Sequence, residues 1–224
     1  GTLFSYTSTM DGRHRRAALL AAKLGRDDHE AVFAALHLGM ESAFEQAKAL
    51  AFYLHLDVAI SGFREAVASL RVTWSEAEGR EMARRTSHMV VEGIEPRTWL
   101  RSTLEALRER GVHLDGVSNA DDSELDAMVA TLGVGDIFHH VLSSETARSC
   151  KPHPAIFRLV LALVGCDAKD AVFVGDTPDT DIVGAAALGM RTVLIEDRTE
   201  LPLARGRPSP GQLTISELPE FLEL

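Results

Sequence analysis

Three short phrases in this 224-residue chain place reactive side chains after an apolar run, the second of them across a short loop. Ser118 and Asn119 follow VHLDGV, Lys151 sits in SCKPHP, and Asp176 and Asp181 lie in VFVGDTPDTD. Taken singly, each has an ordinary explanation. A Ser-Asn pair serves as a turn or a helix N-cap, a Lys before Pro as a solvated loop residue, and Asp179 and Asp181 as first-turn acids favoured by a helix dipole. Taken together they handle phosphate. A hydroxyl and an amide hold phosphoryl oxygens, a Lys supplies fixed positive charge, and carboxylates hold a hard cation such as Mg²⁺ through oxygen. Phosphoryl transfer asks mostly for positioning and charge neutralisation. Gly175 lets the backbone approach a ligand closely, and Asp176 stands where an apolar strand stops.

Such residues need strands to carry them, and the second half of the chain supplies the pattern. From Pro96 onward, helix and strand alternate: PRTWLRSTLEALRERG, the strand VHLDGVSN, a helix over 123–132, the strand HHVLSS, a helix over 152–164, AVFVG, a helix through 184–188 and the strand MRTVLI. Helices between strands imply parallel pairing and right-handed crossovers, hence a doubly wound α/β core. In such a sheet ligands bind outside the carboxyl ends of the strands, where all three phrases fall. RGRPSPGQ reads as a loop, and LTISELPEFLEL as a last strand and a closing helix with Ser216 as N-cap. Before Pro96 the apolar residues recur every three or four positions, predicting helices over 13–24, 28–54, 58–70 and 75–91. Ser75 and Glu78 stand at capping-box spacing.

Composition narrows the function classes. A formal charge of −10 argues against a general nucleic-acid surface, although a local cation can still hold an anionic small substrate. No run approaches the roughly 18 apolar residues of a membrane span, and the first residues lack the apolar centre of a secretory signal. Cys150 and Cys166, the only cysteines, are read as free thiols of a reducing cytoplasm.

GVSNAD, SCKPHPAIF and VFVGDTPDTDIVGAAALGM resemble, in order and spacing, the second, third and fourth motifs of the haloacid-dehalogenase superfamily, over residues 96–196. The resemblance implies a Rossmann-like core over 95–224, an inserted α-helical cap over 11–94, and a remnant of the first motif with a linker over 1–10. It implies Mg²⁺-dependent hydrolysis of a small phosphorylated metabolite through an aspartyl-phosphate intermediate. Lys151 and Ser118 would be catalytic, Ser118, Asn119 and Lys151 would hold substrate, and Asp176 and Asp181 would hold Mg²⁺. The family's metal-free dehalogenases resemble one another in an SN-type loop without the GD pair, so GDTPDTD favours the phosphatase; a 2-haloacid dehalogenase and a non-catalytic ligand- or partner-binding relative are the other readings. His14, His29, His37, His55 and His88, within the cap, are read as surface or half-buried side chains rather than ligands.

In the family the first motif is a strand ending in Asp-x-Asp-Gly-Thr, its first Asp the nucleophile and its second the general acid and base. Gly1-Thr2-Leu3-Phe4 resembles the tail of that motif, which implies that both aspartates precede Gly1 and that this chain alone is inactive. A competing registration on Met10-Asp11-Gly12 would put Thr9 at the nucleophile's place, but SYTST is too polar for a buried central strand. Without the motif's strand, two neighbouring strands would keep unpaired backbone groups, each costing about 1 to 3 kcal/mol when buried.

Overall fold

The computed structural model describes residues 1–5, 10–196 and 212–223. The helical periodicity of the first half forms α1 (Met10–Leu24), α2 (His29–Ala47), α3 (His55–Ser69) and α4 (Glu76–Glu92). Their apolar stripes meet in one cluster around Leu20, Val32, Leu36, Phe63 and Val67. Ser75 closes the expected capping box, its hydroxyl accepting from the Glu78 N–H and its N–H donating to the Glu78 carboxylate. Asp11 lies in the first turn of α1, paired to Arg15 at 3.1 Å, so Met10-Asp11-Gly12 begins a helix; Thr9 lies outside the described residues.

One prediction is corrected here. The helix expected over 28–54 stops at Ala47, and the segment after it turns two carbonyls and the Phe52 ring to the second half of the chain. Cys150 N–H donates to Ala51 O at 2.8 Å, and the Arg148 guanidinium lies 4.1 Å from the centre of the Phe52 ring.

The second half alternates as expected: α5 (Leu100–Glu109), β1 (Asp115–Ser118), α6 (Asp122–Leu132), β2 (His140–Ser143), the short α7 (Ser144–Ala147), α8 (Pro154–Val164), β3 (Val172–Gly175), α9 (Val183–Ala186), β4 (Arg191–Ile195) and β5 (Leu213–Ile215). The helix predicted through 184–188 is shorter and follows a wide π turn over Pro178–Ile182. The closing helix is a 3₁₀ turn over Leu218–Glu223, and Glu220 rather than the Ser216 side chain holds the N–H groups at its start. Of the predicted loop RGRPSPGQ, all but Gln212 lies outside the described residues.

Every described strand pair is parallel. β1 pairs with β2 from Asp115↔His140 to Ser118↔Ser143, and β3, β4 and β5 form a second sheet in that order. Side-chain alternation sends Val172 and Val174 to a cluster with Leu100, Leu104, Val193 and Ile215 on one face, and Phe173 to Ile156, Phe157 and Ala185 on the other. Leu114 and Val117, flanking and within β1, join the same two clusters, so the sheets are halves of one α/β layer covered on both faces. Among the described residues no strand joins β1 to β3. Val117, Val172, Phe173 and Val174 are accordingly only half-buried, whereas Val193, Leu194 and Ile195 of β4, paired on both sides, are at most 2% exposed.

Candidate active site

Ser118, the last residue of β1, is half-buried, and its hydroxyl has no hydrogen-bond partner among the described residues. Asn119 turns its amide to the second phrase instead of outward. Its Oδ1 accepts from Lys151 N–H at 2.7 Å and its Nδ2 donates to Lys151 O at 2.9 Å. Expected to hold phosphoryl oxygens, Asn119 thus fixes the backbone that presents Lys151. The Lys151 ammonium donates to Val117 O at 3.1 Å and lies 2.7 Å from Asp181 Oδ1, spanning from the end of β1 to the loop after β3.

Asp181 shapes that loop. Its Oδ2 accepts from Asp176 N–H at 3.2 Å and Thr177 N–H at 3.1 Å. A side chain on Gly175 would collide with the Asp181 carboxylate, so the close approach requires glycine. Asp181 Oδ1, though near the Lys151 ammonium, is off the line a hydrogen bond needs and is held by charge alone. Asp176, 8% exposed, accepts from Thr2 Oγ1 at 3.0 Å. Asp179 is exposed, on the outer side of the turn. The structure therefore brings together Lys151, Asp176 and Asp181 at the carboxyl ends of β1 and β3. Two buried carboxylates, one with an oxygen in no directed bond, form the all-oxygen donor set that suits Mg²⁺.

A second layer of contacts escaped the sequence. Asp121, just past Asn119, accepts from His55 N–H at 2.7 Å and Leu56 N–H at 2.8 Å, so a carboxylate from the α/β half satisfies the first turn of α3. The His55 ring adds an ion contact to Glu124 at 3.2 Å. Burial by itself pushes the His55 imidazole down, but the hydrogen bond and charge of Glu124, with Asp121, outweigh it and leave the group above its usual pKa. Tyr53 lies against the same corner. Burial first, then the Cys150 sulfur, pushes its phenol up to about 12 against the pull of the Asn119 amide. These partners stand tens of residues apart, and no local pattern announces them.

The model of haloacid dehalogenase-like hydrolases matches residues 40–195 of the chain. A glyceraldehyde 3-phosphate phosphatase of Pyrococcus abyssi is 37% identical over 93 residues, covering 42% of this chain and 39% of that protein. The haloacetate dehalogenase H-2 of a Moraxella species is 33% identical over 102 residues, 46% of this chain and 45% of that one. The chain thus spans about half or less of these curated relatives. Among solved structures, the L-2-haloacid dehalogenase of Xanthobacter autotrophicus superposes with a TM-score of 0.73 over 100% of this chain and 94% of its own, at 21% identity, a likeness of fold.

Proposed function

The chain belongs to the haloacid dehalogenase-like hydrolases, and from that premise we propose that it is part of a Mg²⁺-dependent phosphatase acting on a small phosphorylated metabolite in the cytoplasm, with neither nucleic acid nor membrane as partner. The observation that carries the reading is the Lys151 ammonium set between Val117 O and Asp181, with buried Asp176 on the same loop. Lys151 and the free hydroxyl of Ser118 hold the phosphoryl oxygens, and Asn119 keeps Lys151 in place. Asp176 takes the Mg²⁺ directly and Asp181 braces the loop from behind. The ion, when bound, supplies charge neutralisation at those oxygens. The attacking aspartate and its acid-base partner stand on a strand upstream of Gly1, between β1 and β3, which is supported by the half-buried apolar residues of those two strands. Helices α1–α4 serve as the cap that excludes water and selects the substrate.

The test uses the natural protein, including whatever precedes Gly1, assayed for phosphate release from phosphomonoesters and halide release from 2-haloacids, with Mg²⁺ or with chelator. Phosphate release should require Mg²⁺ and fall on the order of 100-fold or more in Asp176→Asn. Halide release that survives chelator and Asp176→Asn would replace this reading with the dehalogenase. Neither product, from a folded protein, would leave the non-catalytic relative.

A further inference from the structure

The amino ends of β1 and β2 carry a second constellation, at the opposite pole from Lys151 and Asp176. His113 lies in the loop before β1, Asp115 is the first residue of β1, and His140 is the first residue of β2, paired in register with Asp115. His113 Nε2 stands 3.3 Å and His140 Nδ1 2.8 Å from the same atom, Asp115 Oδ1. One potential ligand atom from each of the three lies within 4.8 Å of the others. Zinc bonds of about 2.0–2.1 Å imply tetrahedral edges of roughly 3.3 Å. The two contacts to Asp115 Oδ1 are near that edge length, and movement of the two half-exposed rings would complete the site.

We propose that His113, Asp115 and His140 bind a borderline divalent transition cation, with Zn²⁺ the best fit and water in the fourth position. Two imidazoles and a carboxylate suit Zn²⁺, Ni²⁺ or Cu²⁺ and not the all-oxygen preference of Mg²⁺. The His113 ring is already oriented, stacked on His139 with centroids 3.7 Å apart, while His139 Nδ1 contacts the Leu114 backbone. A cleft lined by Arg108, Gly111, Val112 and His139 leaves His113 open to solvent, giving an ion a way in. A strand of four residues at about 3.3 Å each separates this site from the phosphoryl-binding end by roughly 10 Å, so the ion would clamp the loop before β1 to β2 without taking part in the reaction.

The experiment is calorimetric titration of the untagged natural protein, including whatever precedes Gly1, with Zn²⁺ in excess Mg²⁺ near neutral pH. One Zn²⁺ should bind, at least tenfold more weakly to His113→Ala and to His140→Ala, and as tightly to Asp176→Asn. No binding to the parent, or binding to either histidine variant as tight as to the parent, overturns the proposal. Co²⁺ provides a check that needs only one variant, at an exposed residue: the parent should show the visible bands of a tetrahedral nitrogen and oxygen site, and His113→Ala should lose them. Identical spectra from the two proteins would count against the site.

Discussion

Each pole of β1 gathers a carboxylate and its partners, and the two poles handle charge in opposite ways. At the carboxyl end the Asp181 and Lys151 side chains are 6% and 11% exposed, and Asp181 is tied to two backbone N–H groups as well as the ammonium. At the amino end Asp115 is 12% exposed, but His113 and His140 beside it are 40% and 39% exposed. Taking charge out of water is costly, and the buried cluster stands because each member compensates another. Water screens the imidazoles at the other pole, so their mutual contacts contribute little until something stronger occupies the space between them. A buried cluster is a structural commitment; an exposed one leaves its members free to move.

The largest break of this contrast is Lys151→Met. It keeps most of the apolar stem and leaves the Asn119 clamp on the main chain of residue 151 untouched, but strands Asp181 as a buried charge. Removing one partner of a buried pair costs about 3 to 5 kcal/mol, so urea unfolding should show a loss near the lower end of that range, given the partial exposure of the ammonium. A loss under about 1 kcal/mol would mean that the carboxyl pole is as well solvated as the amino pole, and the contrast would fail.

Part of this was legible in the sequence. The layer's alternation could be read because strand and helix periods differ locally, and Ser118 and Asp176 could be placed at strand ends because each closes an apolar run. The bonds that join the Asn119 amide to the backbone of Lys151 were not legible, because the two residues stand 32 positions apart. Residues 48–54 were misread as helix because their apolar spacing does not say against what they pack, and no Gly or Pro marks the break after Ala47. The histidine cluster was missed for a similar reason. His113 and His140 become neighbours of one carboxylate only through the parallel register Asp115↔His140, which no single window displays.

A smaller effect is expected where the helical half meets the carboxyl pole. Asp121→Ala removes the acceptor of two N–H groups in the first turn of α3, as loss of a helix cap does, and should cost about 1 to 2 kcal/mol in urea unfolding. The neighbouring pair supplies a pH test. Since the folded state raises the His55 pKa through Glu124, protonation favours folding there. The contribution is complete below about pH 6.5, the ordinary histidine value, and is lost as the pH rises through the raised one. Stability measured across that window should fall with rising pH in the parent and flatten in Glu124→Gln. An unchanged slope would put the charged form of His55 outside the contact.

The smallest effect should come from Asp115→Asn in the presence of chelator. The backbone pairing of β1 with β2 is unchanged by the substitution, and an amide oxygen still accepts a hydrogen bond from either imidazole. Contacts to side chains this exposed are typically worth about 0 to 1 kcal/mol, so the unfolding midpoint should scarcely move. With saturating Zn²⁺ the outcome should differ, because a ligand that binds only the folded chain adds about 2.7 kcal/mol at a hundredfold excess over its dissociation constant. Asparagine, lacking the negative charge, should forfeit most of that gain. If Asp115→Asn were costly in chelator, the carboxylate would already be structural, as Asp181 is; if it were harmless in both conditions, the three side chains would be ordinary neighbours on a solvated surface.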